Sequence, residues 1–100
     1  AELEEDLIQR VALLQGCEAA LNNRIKEDTA GKRILALLLQ YGLFAENGLT
    51  VEEIGAHLKL SLSTIRNHLG EIPSGMVTVT KEGRRNIYDF NLEYFKEELQ

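Results

Sequence analysis

Five apolar residues in the first 28 positions recur at alternating spacings of three and four, the spacing of one helical face: Leu7, Val11, Leu14, Leu21 and Ile25. Glu18 occupies the one missing position, so the pattern is a heptad-like seam over roughly three repeats. Further apolar residues widen this surface beyond a two-helix seam: Ile8, Ala12, Leu13, Cys17 and Ala20. We predict an amphipathic helix that either packs on its own domain or also pairs with a second copy. The breadth of the stripe favours pairing.

The next apolar cluster predicts a second helix. Asp28 or Thr29 is positioned to cap its start, and Gly42 is expected to end it. Four residues at helical spacing supply its buried face: Ile34, Leu35, Leu38 and Leu39.

A third helix is marked by its start signal. Thr50 is followed three residues later by Glu53, which is the spacing of a capping box. We therefore predict a helix that begins at Val51 and ends near Leu58.

A fourth helix follows after a short turn. Ser61 is a further N-cap residue, and Ile65 and Leu69 are spaced to point inward together. Gly70 and Pro73 are expected to stop this helix.

The remaining residues change to an alternating pattern. MVTVT at 76–80 and RNIYDF at 85–90 alternate between apolar and polar residues, and Gly83 between them allows the positive φ of a tight turn. This pattern predicts a two-stranded β-hairpin. The last segment predicts a short helix capped by Asn91, with three apolar residues on one face: Leu92, Phe95 and Leu99.

The order of these elements predicts a mainly α fold with a β-hairpin wing, a winged helix-turn-helix flanked by N- and C-terminal helices. LTVEEIGAHLKLSLSTIRNHL followed by GMVTVTKEGRRNIYDF resembles the ArsR-like group of bacterial and archaeal winged-helix transcriptional regulators. The resemblance covers about residues 32–90. We divide the chain into an N-terminal helix expected to dimerise (1–28), the winged helix-turn-helix domain (29–91) and a C-terminal helix (92–100).

The resemblance implies that residues 61–69 are the DNA recognition helix, and helical spacing gives the same assignment. Arg66 faces outward and is able to donate two hydrogen bonds to a guanine edge, and Asn67 pairs similarly with adenine. Three hydroxyl residues at the helix start are candidates to hold a phosphate: Ser61, Ser63 and Thr64. The alternative is an ordinary solvated helix face.

Basic residues also surround the predicted hairpin turn: Lys81, Arg84 and Arg85. The resemblance implies that this tip reaches the DNA backbone or minor groove beside the recognition helix. The alternative is a solvated turn whose charges protect an edge strand.

The net charge of −5 is compatible with DNA binding because of where the charges lie. Residues 59–91, which hold the proposed contacts, carry a net charge of +2, whereas residues 1–28 carry −4 and residues 92–100 carry −2. With about five usable cations per subunit, non-specific affinity should be modest and salt-sensitive.

The sequence offers little for other kinds of chemistry. The single cysteine, Cys17, excludes an intramolecular disulfide and a Cys-based zinc site, and it is expected to be a packing residue. The paired cysteines of the metal-sensing ArsR-like proteins have no counterpart in residues 51–58, and His57 and His68 lie on different predicted helices. We expect no metal, no cofactor and no enzymatic activity. No apolar run is long enough to span a membrane, and a cytoplasmic location is the default expectation.

The sequence therefore predicts a homodimeric, sequence-specific DNA-binding transcriptional regulator. Its dimer interface is expected to combine the first helix, through Leu7, Val11, Leu14, Leu21 and Ile25, with the last, through Phe95 and Leu99. The alternatives are a winged-helix protein-interaction module in a larger assembly and the DNA-binding output domain of a longer sensor protein. A basic face shared by Arg66 and the wing would favour DNA over a protein partner.

Overall fold

The computed structural model describes residues 2–99, and their side chains from residue 3 onward. Within this range the elements follow in the predicted order: α1 (Glu2–Arg24), α2 (Ala30–Gln40), a π-helix (Tyr41–Ala45), α3 (Val51–Leu58), α4 (Leu62–Glu71), β1 (Val77–Glu82), β2 (Arg85–Phe90) and a 3-10 helix (Leu92–Phe95). The predicted architecture, mainly α with a β-hairpin wing, is confirmed. No helix within residues 2–99 is long and apolar enough to cross a membrane.

Polar side chains begin four of these helices. In each, a side-chain oxygen accepts a hydrogen bond from a backbone N–H of the first turn, which would otherwise have no intrahelical partner. The capping residues are Thr29, Thr50, Ser61 and Asn91. The starts of these helices are therefore set locally, as their sequences predicted.

The second helix continues past the expected stop at Gly42. The chain widens into the π-helix and ends at Glu46, which has a left-handed φ of 56°. A glycine inside a helix costs about 1 kcal/mol, whereas burying a leucine contributes about 1.5–3 kcal/mol. Leu43 is buried by this extension, and that burial outweighs the cost of the glycine.

The core of the domain includes residues that were predicted to form the dimer interface. Leu21 is 2% exposed and Phe95 is fully buried, so both pack inside the single chain. The prediction that these two residues form an interface is therefore corrected. The apolar stripe of α1 is wide enough that one side packs against α2 and the 3-10 helix while the other side stays exposed, as Leu7 and Val11 do.

The C-terminal segment is shorter and more irregular than the predicted helix over residues 92–100. A single 3-10 helix is followed by turns up to residue 99, and residue 100 lies outside the described residues. Phe95 stacks on Phe90 with ring centroids 5.1 Å apart. Arg24 Nε donates a hydrogen bond to Glu98 Oε1 at 2.8 Å, which ties this segment to the end of α1.

The hairpin forms as predicted, with Gly83 in its turn. β1 and β2 pair antiparallel from Val77↔Phe90 to Glu82↔Arg85, which leaves a two-residue turn at Gly83 and Arg84. Gly83 has a φ of 63°, a conformation that costs glycine little because it has no Cβ.

Candidate nucleic-acid interface

Packing of α4 against α3 sets which face of α4 is exposed. A Cβ on Gly55 of α3 would lie 2.9 Å from the backbone oxygen of Leu60 in the turn between the two helices, so this turn requires glycine. Ile65 is fully buried on the inner face of α4. The opposite face leaves Arg66 and Asn67 exposed, as the helical spacing predicted.

The three hydroxyl residues predicted to contact phosphate lie together at the start of α4. Ser61 Oγ lies 3.3 Å from Ser63 Oγ and 2.8 Å from Thr64 Oγ1, and it accepts a hydrogen bond from the Thr64 N–H at 3.3 Å. The cluster adjoins the helix N-terminus, where partial positive charge favours an anion.

The arginines of the wing share a cleft with the arginine of α4. The cleft has a volume of about 340 Å³ and lies between α3, α4 and β2. Seven residues line it: Val51, Glu52, Arg66, Arg84, Arg85, Asn86 and Tyr88. Arg66 therefore lies on the same side of the molecule as the wing arginines, which is the arrangement that favours DNA over a protein partner.

Lys81 is not part of the cleft lining, but the sheet register places it on the same face of the hairpin as two cleft residues. Lys81 pairs with Asn86, and Val79 pairs with Tyr88. Residues directly opposite each other in an antiparallel pair share a face, and that face repeats every second residue. Lys81 thus extends the basic surface along the wing.

The charges of the cleft are not neutralised by ion pairs. None of the ion pairs found within residues 3–99 includes Arg66, Arg84 or Arg85. The neighbouring carboxylate of Glu53 has a pKa below its ordinary value, chiefly because it accepts a hydrogen bond from the Thr50 N–H. The Thr50 hydroxyl and the positive charge of Arg85 lower that pKa further, against the opposing effect of burial.

Three polar residues of the cleft were not anticipated from the sequence: Glu52, Asn86 and Tyr88. The sequence did indicate the positions of Asn86 and Tyr88, because the alternation of RNIYDF places both on the strand face that ends at the buried Phe90. Glu52 gives no such signal. It belongs to the first turn of α3, and only the packing of the wing brings it near the arginines.

Both histidines have side-chain partners, and Cys17 is buried. Tyr41 Oη lies 2.8 Å from His57 Nε2, and His68 Nδ1 lies 3.3 Å from Glu71. Burial, and secondarily the charge of Glu98, raises the pKa of the Cys17 thiol. Among residues 2–99, no three His, Cys, Asp or Glu side chains are grouped to hold a metal ion.

No protein-family model matches the chain, and no curated protein matches it. Among solved structures, reduced HlyU from Vibrio cholerae N16961 is similar, with a TM-score of 0.55 and 23% sequence identity. The similarity covers 83% of this chain and 90% of the HlyU chain. HlyU is a winged-helix transcriptional regulator of the ArsR/SmtB family. At this identity the comparison concerns architecture alone, and it shows that the chain has the winged-helix fold.

Proposed function

We propose that the protein is a sequence-specific DNA-binding transcriptional regulator that acts as a homodimer in the cytoplasm. The observation that carries this proposal is the shared cleft of Arg66, Arg84 and Arg85, which collects three positive charges from the recognition helix and the wing. Clustered arginines that form no ion pair among the described residues are the electrostatic basis of binding to a phosphate backbone. The similarity in fold to a transcriptional regulator supports the same class of function.

Within this proposal the exposed face of α4 enters the major groove. Arg66 and Asn67 read base edges, because their side chains carry the paired donors and acceptors that distinguish guanine and adenine. Ser61, Ser63 and Thr64 position the helix on a phosphate at its N-terminus. Lys81, together with the wing arginines, holds the flanking backbone.

The proposed dimer uses the exposed side of α1. Its apolar residues remain accessible on the single chain: Leu3 is 85% exposed, Leu7 54%, Ile8 67% and Val11 38%. Leu14 continues this surface toward Phe44, which is 42% exposed and lines the same shallow pocket. The half-buried Ile25 and Leu99 are peripheral to it. Pairing two α1 helices would bury this surface and present two basic faces to successive half-sites.

A protein-interaction module is the second candidate, and the same exposed side of α1 favours it. An acidic helix with an uncovered apolar side suits a different protein as well as it suits a second copy. An output domain of a longer sensor would share the DNA chemistry and differ only in what precedes α1.

Selection from a random duplex pool, followed by fluorescence anisotropy across a salt series, tests the proposal. We expect enrichment of a site with approximate two-fold symmetry, whose affinity falls as salt rises. A pool that remains unenriched, with weak binding that salt does not change, would instead support the protein-interaction module.

A further inference from the structure

The arginine cleft contains more than positive charge. Asn86 offers a side-chain amide and Tyr88 a phenolic hydroxyl, and both residues line the cleft with Arg66. Neither side chain makes a hydrogen bond to another group within residues 3–99. Two neutral donors beside three guanidinium groups form a set suited to the oxygen atoms of an anion.

The cleft also contains a carboxylate that opposes such an anion. Glu52 lies in the first turn of α3 and lines the same cavity as Arg84 and Arg85. It makes no ion pair with them among the described residues, so it acts through its charge at short range. Glu52 therefore reduces the net charge of the cleft from +3 to +2.

We propose that this cleft binds one phosphodiester group of duplex DNA, that Asn86 and Tyr88 donate hydrogen bonds to it, and that Glu52 limits its affinity. This inference rests on the proposed function, because DNA supplies the phosphodiester group. It adds residues that neither the recognition helix nor the basic tip of the wing includes.

Glu52 and the three arginines line one cleft of about 340 Å³, so the Glu52 carboxylate lies close to an anion held there. The Debye length at physiological ionic strength is about 8 Å. Salt thus only partly screens Glu52 from a phosphate held among the arginines, and the repulsion lowers affinity at every sequence the protein contacts.

The Glu52→Gln variant tests the counter-charge, with Glu27→Gln as its matched control. Both variants remove one negative charge, but Glu27 is exposed between α1 and α2 and does not line the cleft. On a duplex of fixed, unselected sequence, we expect Glu52→Gln to bind roughly two- to fivefold more tightly, and Glu27→Gln to match the parent protein. Equal gains in both variants would show an effect of net charge alone and overturn the role of Glu52.

The Tyr88→Phe variant tests the donors, with Tyr94→Phe as its control. The Tyr94 phenol accepts a hydrogen bond from Arg24 at 3.2 Å and is not part of the cleft lining. We expect Tyr88→Phe to weaken binding to the same duplex roughly two- to fivefold and Tyr94→Phe to leave it unchanged, with both variants folded by circular dichroism. An unchanged affinity in Tyr88→Phe would remove Tyr88 from the site.

A second measurement, without DNA, separates failure of this inference from failure of the proposed function. Inorganic pyrophosphate is titrated into the protein while the side-chain amide signals of Asn86 and the Nε–H signals of Arg66 are followed by NMR. We expect these signals to move, and to move at lower pyrophosphate concentration in Glu52→Gln. If pyrophosphate moves the NMR signals but the protein binds no DNA, the cleft is an anion site and the DNA-binding function is overturned. DNA binding with no shifts in the cleft would overturn the cleft as the phosphate site.

Discussion

The hydroxyl of Thr50 accepts a hydrogen bond from the backbone N–H of Glu53 at 3.2 Å, and the Glu53 carboxylate accepts one from the backbone N–H of Thr50 at 3.0 Å. This reciprocal pair begins α3 and fixes the edge of the arginine cleft that α3 supplies. Thr50→Ala should lower the free energy of unfolding by about 1 kcal/mol, because it removes an N-cap. Urea denaturation measures this, with the exposed Thr78→Ala as a control expected to change stability by less than about 0.5 kcal/mol. Similar losses in both variants would argue against the cap.

The same pair predicts a pH dependence of stability. The pKa of Glu53 is lowered in the folded protein from its ordinary 4.5, so its ionised form favours folding. That contribution is complete above the unfolded pKa and is lost as pH falls through the lowered folded pKa. The wild-type chain should therefore be more stable than Glu53→Gln at neutral pH, and the difference should shrink progressively as pH falls below 4.5. A difference that stays constant across a pH series of urea denaturations would show that packing, not charge, is its origin.

Two glycines should respond to alanine in opposite directions. A Cβ on Gly70 in α4 would meet no atom within 4 Å, so Gly70→Ala should raise stability by roughly 0.5–1 kcal/mol. A Cβ on Gly48 would lie 2.4 Å from Ile87 Cγ2 and 2.9 Å from the Tyr88 backbone oxygen. Gly48→Ala should therefore lower stability by about 1–3 kcal/mol. Thermal unfolding measures the change in stability of both variants. Two changes of the same sign would contradict the packing described for Gly70 and Gly48.

The exposed side of α1 can be tested as the dimer surface without disturbing the core. Leu7 is 54% exposed, so Leu7→Glu leaves the single chain intact. A symmetric interface loses the side chain twice, at about 1.5–3 kcal/mol per buried leucine, so the dimer dissociation constant should rise at least tenfold. Sedimentation equilibrium measures it, with Val79→Glu as a control that introduces the same charge on the wing. Equal dissociation in both variants would place the dimer contact elsewhere.

Leu21 should behave differently from Leu7 although both belong to one sequence repeat. Leu21 is 2% exposed within the chain, so Leu21→Ala should cost about 2–5 kcal/mol in the free energy of unfolding. Because that loss is intramolecular, it should not depend on protein concentration. Urea denaturation at several protein concentrations checks this expectation. A loss of stability that depends on protein concentration would show that Leu21 contributes to the dimer interface.

Features encoded by a few adjacent residues were predictable from the sequence. The Thr50 and Glu53 pair, the Ser61 cap and Gly83 in the hairpin turn each act within a few positions, and all three are found where the sequence placed them. The exposure of Arg66 and Asn67 followed from the helical spacing around Ile65.

Features that depend on packing between distant segments were not predictable. The repeat of α1 shows that Leu7 and Leu21 share a face, but not that other elements of the same chain cover only one of them. Similarly, Gly42 alone predicts the end of the second helix, but the burial of Leu43 favours continuation of the helix to Ala45. Glu52 enters the cleft only because the wing folds back toward α3, which no local pattern encodes.

The most direct test of the proposed function is the affinity of Arg66→Ala for the enriched duplex and for a scrambled duplex of equal length. Arg33→Ala is the matched control, because Arg33 is an exposed arginine of α2 whose partner is Asp28. The proposal predicts a loss of about 1–3 kcal/mol on the enriched duplex for Arg66→Ala and little change for Arg33→Ala. On the scrambled duplex the loss for Arg66→Ala should be smaller, because only the phosphate contact of Arg66 is removed there. Equal losses on both duplexes, or equal losses in both variants, would contradict base reading by α4.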